Sequence, residues 1–344
     1  MKKDVLSLYP EELKTEIKEL GFPAFRADQI RDWLSKGVRS FEQMKNLPKD
    51  LISALKNSYH LFEPRVLEKK TSGDGTIKYL WELYDGNAVE TVIMRYRYGN
   101  TVCVSSQVGC RQGCAFCAST IGGLVRNLNA SEILDEVLFS QKESGIRISN
   151  IVMMGIGEPL DNFDNVIRFL RLVNDPEGVN IGMRHITIST CGIIERFGEL
   201  AALGYPVTLS LSLHAPDDDT RSKIMPSNRL RGVERILEEC SRYYEATGRR
   251  ISFEYAMIKN VNDSDQQAFL LADMAKKTHA HVNLIPLNHV SERDLRPSDP
   301  ETIKRFRIIL EGRGVNVTVR RKLGNDVDAS CGQLRRRHFS AENN

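Results

Sequence analysis

The chain has 344 residues, 41% of them hydrophobic and 27% charged, a composition typical of a globular protein with a substantial core. No apolar run has membrane-spanning length and the N-terminus lacks a signal-peptide pattern, so we expect a cytoplasmic protein without a membrane partner. The net charge of +3 does not by itself require a nucleic-acid partner, and the seven cysteines, without a secretory signal, argue against a disulfide framework.

The first part of the chain is predicted to form a small helical domain, which we assign to residues 1–60. A β-rich connecting segment follows at 61–98. Proline and glycine residues separate three helical patterns in the first domain, at 10–20, 27–36 and 49–57. Runs rich in β-branched and aromatic residues predict hairpin strands at 76–83, 88–96 and 100–105.

Residues 99–320 alternate between short apolar strands and helical patterns. This alternation predicts right-handed βαβ units and a parallel sheet or barrel. In such folds the loops after the strand C-termini carry the chemistry. The strand patterns lie at 151–154, 185–190, 207–212, 251–257, 281–285 and 315–320, and the helical patterns at 131–144, 163–173, 193–203, 232–247, 263–277 and 299–313.

Cys110, Cys114 and Cys117 place three thiols on one tight loop after a predicted strand. A [4Fe–4S] cluster normally takes four cysteines, so three leave one iron open to a small chelating ligand. The amino and carboxylate groups of S-adenosylmethionine (SAM) suit that open iron. One alternative is structural zinc with Cys103 or a histidine as the fourth ligand, although the sequence has no second Cys-x2-Cys pair. Another is a set of buried, inert cysteines.

This spacing, with Phe116 before the last cysteine, resembles the signature of the radical SAM superfamily. The strand–helix alternation is similar to the partial barrel of that superfamily. The resemblance implies an α/β protein with a partial (βα)6 barrel and one [4Fe–4S] cluster, held by Cys110, Cys114 and Cys117. It also implies a SAM site formed by Gly157, Glu158, Ser189, Ser212, Leu213, His214 and Asn288.

Ordered motifs along nearly the whole chain resemble those of the RlmN and Cfr adenosine methyltransferases, and most closely the RlmN branch. The final motif carries Cys331, in a basic C-terminal tail that we assign to residues 321–344. The motifs are VSSQVGC (104–110), MMGIGEPL (153–160), ITIST (186–190), SLHAP (212–216), VNLIPLN (282–288) and DASCGQL (328–334).

The resemblance implies a reaction that uses two SAM molecules per turnover. One methylates Cys331, and the other gives a 5′-deoxyadenosyl radical that removes a hydrogen atom from this methyl group. The resulting methylene adds to adenine. Cys103 then attacks the Cys331 sulfur, which releases the product and leaves a transient disulfide. Glu90 matches the residue that accepts the adenine proton.

The implied product is 2-methyladenosine, in the peptidyl-transferase region of 23S rRNA and in tRNA next to the anticodon. We also expect a monomer that takes electrons from a donor such as flavodoxin and its reductase. One alternative is Cfr-type methylation of adenine carbon 8, which confers antibiotic resistance, and another is a non-enzymatic zinc- or RNA-binding protein. Candidate RNA contacts are the helical N-terminal domain, Arg126, Arg320, Arg321 and the arginines at 335–337.

Overall fold

The computed structural model describes residues 2–288, 293–321, 323–324 and Arg335. Cys331 and the arginines at 336 and 337 lie outside the described residues. Within the described ranges, no helix is both long and apolar enough to cross a membrane.

The N-terminal residues form three helices, close to the predicted positions, and one small sheet that was not predicted. The buried side chains Ile17, Ile30 and Leu51 belong to the same core as the central strands. The guanidinium of Arg39 pairs with Asp135, which also ties this part to the rest of the chain. The elements are β1 (Lys3–Asp4), α1 (Pro10–Glu19), α2 (Phe25–Ser35), α3 (Lys49–Ser58) and β2 (Tyr59–His60), and β1 pairs with β2 in parallel.

Four antiparallel strands follow, and three of them lie close to where the sequence predicts strands. The first strand was not predicted, because it is an edge strand whose Glu68, Lys69 and Lys70 interrupt the apolar pattern. The strands are β3 (Arg65–Thr71), β4 (Ile77–Glu82), β5 (Ala88–Tyr96) and β6 (Gly99–Cys103).

Strand β6 also begins a parallel sheet, which confirms the predicted strand–helix alternation. A hairpin of β7 (Gln107–Gly109) and β8 (Leu124–Asn127) first encloses the cysteine loop. The chain then forms α4 (Ala130–Ser144), β9 (Asn150–Met153), α5 (Phe163–Asn174), β10 (Ile186–Thr190), α6 (Phe197–Ala202), β11 (Thr208–Ser212), α7 (Asp218–Ile224), α8 (Val233–Thr247), β12 (Ser252–Met257), α9 (Asp265–Lys277), β13 (His281–Pro286), α10 (Pro300–Gly312) and β14 (Val317–Val319).

All described strands from β3 to β6 and from β9 to β14 join one ten-stranded sheet. Its parallel part runs in the order β6, β9, β10, β11, β12, β13, β14. Six βα units, followed by the edge strand β14, therefore confirm the predicted partial barrel. Helix α5 illustrates the packing, because it buries Val166, Phe169, Leu170 and Val173 at helical spacing in the same core as the strands. Helix α7 was not predicted from the sequence.

Candidate active site

A cavity of about 350 Å³ opens inside the barrel, a volume suited to a small-molecule ligand. It lies where loops follow the C-terminal ends of the parallel strands, as expected for this class of fold. Glu90 and Leu213 are absent from its lining. The predicted site residues that line it are Cys103, Cys110, Cys114, Cys117, Gly157, Glu158, Ser189, Ser212, His214 and Asn288.

The cysteine loop closes tightly because of one glycine. Gly109 has φ +78°, and a Cβ there would lie 2.0 Å from the carbonyl oxygen of Gly123. The next amide, that of Cys110, donates to the same carbonyl at 2.9 Å. At the far side of the loop, the hydroxyl of Thr120 donates to the carbonyls of Cys114 and Cys117 at 3.2 and 3.0 Å. The loop thus holds its three thiols in a defined arrangement.

Two of the three thiols, those of Cys110 and Cys114, lie in an environment that disfavours free thiolates. Burial raises the pKa of the Cys110 thiol to about 12 and that of Cys114 well above its usual value, and neighbouring cysteines add to both shifts. Thiolates in such a place need a metal centre that displaces their protons.

The donor set fits a cluster better than a single ion. Within the described ranges, no three His, Cys, Asp or Glu side chains form a group that could hold one metal ion. In an iron–sulfur cluster each cysteine binds a different iron, so the thiolates stand further apart. Three cysteines that line one cavity also argue against the inert interpretation.

The side chain of Glu158 fixes the turn that contains Gly157 and Glu158. The buried Glu158 carboxylate accepts the amide of Leu160 at 3.0 Å and that of Cys191 at 2.7 Å, and burial raises its pKa. Gly157 has φ +111°, and a Cβ there would lie 2.7 Å from the amide nitrogen of Gln107. Glu158 therefore joins the turn after β9 to the loop after β10.

His214 is buried and neutral. Its φ is +57°, and its Nδ1 accepts the amide of Ala256 at 2.9 Å, which leaves the proton on Nε2. Burial, assisted by the positive charge of Arg221, lowers the pKa of His214 to about 3. The rings of His214 and Phe116 pack edge to face, with 4.8 Å between their centroids. The last turn of the cysteine loop therefore packs directly on the end of β11.

Glu90 is buried in the antiparallel part of the sheet with a cationic partner. Its Oε2 lies 2.9 Å from the Nζ of Lys78, and the two side chains are 2% and 0% exposed. Its Oε1 accepts the backbone amide of Arg335 at 2.7 Å. Strand pairing places Lys78, Val92 and Cys103 in one row across β4, β5 and β6. Glu90, two residues before Val92, therefore shares a sheet face with Cys103. No sequence motif marks Lys78.

Arg221 is a second buried cation that was not predicted from the sequence. Its side chain lies in the core and donates to the carbonyls of Leu213 at 2.9 Å and Cys191 at 2.7 Å, and to Oδ1 of Asn228 at 2.6 Å. It thereby clamps the segments that follow β10 and β11. Its positive charge also opposes the effect of burial on the Cys114 thiol.

The arginines proposed as RNA contacts differ in their surroundings. Arg320 and Arg321 line the cavity. Arg126 instead pairs with Asp85 at 2.6 Å and with Glu132 at 2.8 Å. Two carboxylates already neutralise its charge, which argues against the phosphate contact expected from the sequence.

Known proteins resemble the chain over nearly its whole length. Residues 104–272 match the Radical SAM superfamily, and residues 3–61 match the ribosomal RNA large subunit methyltransferase N-terminal domain. The probable dual-specificity RNA methyltransferase RlmN of Desulforamulus reducens is 52% identical over 98% of this chain and 97% of its own. Its counterpart from Clostridium tetani is 50% identical over 97% of this chain and 96% of its own.

A solved structure agrees with these relatives. The crystal structure of a radical SAM methyltransferase from Sphaerobacter thermophilus has a TM-score of 0.91 and 40% identity, and covers 96% of this chain and 98% of its own. A [4Fe–4S] cluster and SAM are the cofactors of this superfamily, and the cavity has the donors for both. The chain belongs to the RlmN family of radical SAM RNA methyltransferases.

Proposed function

We propose that this enzyme forms 2-methyladenosine in the peptidyl-transferase region of 23S rRNA and in tRNA next to the anticodon. One observation carries the proposal: besides the three loop cysteines and Cys191, the cavity is lined by the thiol of Cys103, which shares a sheet face with Glu90. Cluster binding uses three thiols and does not explain Cys103. The dual specificity for RNA in the names of the relatives supports the choice of substrates.

In this proposal the loop cysteines hold the cluster, and the strand ends hold SAM. When bound, the two cofactors supply a methyl group and a radical that abstracts hydrogen. Cys110, Cys114 and Cys117 are the cluster ligands. The SAM contacts are Gly157, Glu158, Ser189, Ser212, Leu213, His214 and Asn288.

The remaining residues carry the methyl group and release the product. Adenine carbon 2 is electron-poor and has no lone pair, so it cannot take a methyl group by simple displacement. Cys331 accepts the methyl group as a thiolate. That group loses one hydrogen atom, and its carbon joins adenine carbon 2 as a methylene. The radical formed on adenine must then give up one electron, for which a bound cluster would be the acceptor, and Glu90 takes the proton from carbon 2. Cys103, as a thiolate, attacks the sulfur of Cys331, so the sulfur–carbon bond to RNA breaks as a disulfide forms, and the released carbon takes up a proton to become a methyl group.

The cellular setting follows from the substrates. We expect the enzyme to act in the cytoplasm, where ribosomal and transfer RNA are made, as a monomer and without a membrane partner. A low-potential donor such as flavodoxin with its reductase supplies the electrons. Size-exclusion chromatography with light scattering checks the monomer, and reduction of the cluster by flavodoxin checks the donor.

Nucleoside analysis tests the proposal. The anaerobically reconstituted enzyme is incubated with SAM, a reductant, and 23S rRNA or tRNA that lack the modification. Mass spectrometry with authentic standards separates the two possible methyladenosines. We expect 2-methyladenosine in both RNAs. A product methylated at carbon 8 would instead favour the Cfr-type reaction.

Metal analysis separates the enzyme from a zinc protein. The protein purified without oxygen should be brown and contain iron and sulfide in the ratio of one [4Fe–4S] cluster, and a Cys114→Ala variant should lose both. A colourless wild-type protein that contains zinc would contradict the proposal.

A further inference from the structure

Inside the barrel, strand β12 carries a carboxylate that has no role in the proposed reaction. Glu254 lines the cavity, yet only 3% of the residue is exposed. Strand pairing places it directly between Ser212 on β11 and Asn283 on β13. It therefore lies beside a residue that we assign to the SAM site.

One of the two carboxylate oxygens of Glu254 accepts hydrogen bonds from neighbouring side chains. Oε1 accepts the hydroxyl of Ser210 at 2.6 Å and the amide nitrogen Nδ2 of Asn283 at 2.8 Å, with the hydroxyl of Ser252 at 3.4 Å. These donors come from strands on both sides and fix the orientation of the carboxylate. Such a network pre-organises a binding group.

The other oxygen has no donor among the described residues. Every hydrogen bond between the Glu254 side chain and that part of the chain is made by Oε1, and no described lysine, arginine or histidine forms an ion pair with it. Glu254 lines the cavity, so a ligand bound there can supply a donor to Oε2.

The neighbouring groups indicate what kind of ligand donor this is. The hydroxyls of Ser189 and Ser212 lie 3.3 Å apart beside Glu254. Hydroxyls and a carboxylate together suit a polyol, and acidic side chains bind nucleotide ribose in this way in other α/β folds. We infer that Oε2 of Glu254 accepts a hydrogen bond from a ribose hydroxyl of SAM. This inference rests on the proposed SAM site and adds to it a residue that sequence motifs do not mark.

The Glu254→Gln variant tests the inference with little change of shape. Its amide oxygen can keep the donors of Oε1, while its NH₂ group replaces the acceptor that faces the cavity. Affinities of the cluster-loaded protein for SAM, S-adenosylhomocysteine and methionine are measured by anaerobic calorimetry. S-adenosylhomocysteine keeps the ribose but lacks the positive charge, and methionine lacks the ribose.

We expect the Kd of SAM and of S-adenosylhomocysteine to rise by about tenfold or more, because a hydrogen bond to a charged group is lost. The Kd of methionine should not change. Glu245→Gln, at an exposed position, is the matched control. Weaker binding of SAM alone would overturn the inference, since Glu254 would then pair with the sulfonium charge. Unchanged affinity for both ribose ligands would also overturn it.

Further measurements separate a loss of ribose binding from a folding defect and from failure of the proposed function. Equal cluster content and equal melting temperature in wild type and variant exclude a folding defect. If Glu254→Gln does not fold, Ser210→Ala, which removes one donor to Oε1, should raise both ribose-ligand Kd values by less than tenfold, and no change at all counts against the inference. A wild-type protein that binds neither cluster nor SAM would refute the proposed function itself.

Discussion

Lys78 and Glu90 form an ion pair, with 2.9 Å between Nζ and Oε2, in a part of the sheet where both side chains are buried. Strand pairing places Lys78 in the same row as Cys103. The glutamate proposed to accept the adenine proton is thereby held near the thiol proposed to release the product. A buried pair rarely adds net stability over apolar residues, so its presence here is consistent with a role in the reaction.

Removal of Lys78 should destabilise the fold strongly. The Lys78→Met variant leaves the Glu90 carboxylate buried beside an apolar side chain, and we expect the free energy of unfolding to fall by about 3–5 kcal/mol. Denaturant unfolding followed by circular dichroism measures this. The double variant Lys78→Met/Glu90→Leu should recover most of the loss but form no methylated RNA. A Lys78→Met variant as stable as the wild type would contradict the buried pair.

Acidification should destabilise the protein partly through His214. The folded-state pKa is about 3, below the ordinary 6.5, so between these values the unfolded chain binds a proton that the folded chain does not. Stability due to this group is therefore present above pH 6.5 and lost as the pH falls, by up to about 1.4 kcal/mol per pH unit.

The His214→Asn variant tests this linkage, because asparagine tolerates the left-handed backbone at this position. Unfolding free energies from pH 7 to pH 4 should fall less steeply in the variant than in the wild type. His185→Asn, at an exposed position, should keep the wild-type slope. Equal slopes for all three proteins would show that His214 does not titrate as described.

Loss of Cys103 should stop the reaction after the bond to RNA has formed. The Cys103→Ala variant keeps the three loop cysteines, so it should contain a full cluster and still methylate Cys331. Without the resolving thiol, the protein should retain covalently attached RNA, visible as a nuclease-sensitive shift on a denaturing gel. Normal turnover without any adduct would remove Cys103 from the mechanism.

Loss of Cys331 should block an earlier step. The Cys331→Ala variant should bind cluster and SAM as the wild type does, but form neither adduct nor methylated RNA. The Cys103→Ala/Cys331→Ala double variant should likewise form no adduct, which orders the two cysteines in the reaction. Retained RNA methylation in Cys331→Ala would refute the role of Cys331 as methyl carrier.

The sequence predicts the elements whose signals are local. The cysteine loop is contained in eight residues, and the apolar strands alternate with helices, so both are visible without knowledge of the fold. Helix α7 was missed because it has only seven residues and begins in a run of aspartates. Strand β3 was missed because an edge strand need not have an apolar pattern.

The buried charged residues could not be predicted in the same way. Lys78 and Glu254 occur among ordinary strand residues, and Arg221 follows a run of acidic residues that resembles a surface. The strand register places Glu254 at the cavity and Lys78 beside Glu90. The packing of α7 brings Arg221 to the segments that follow β10 and β11. Conversely, the charge of Arg126 predicted an RNA contact, but its guanidinium forms ion pairs with two neighbouring carboxylates.

The origin of the hydrogen atoms in the product tests the central claim, transfer of a methylene through Cys331. The enzyme, freed of any methyl group already on Cys331, is supplied with SAM whose methyl group carries three deuterium atoms, and the methyladenosine product is analysed by mass spectrometry. A methylene carrier predicts a product methyl group with two deuterium atoms. A product that keeps all three would show direct methyl transfer and contradict the account.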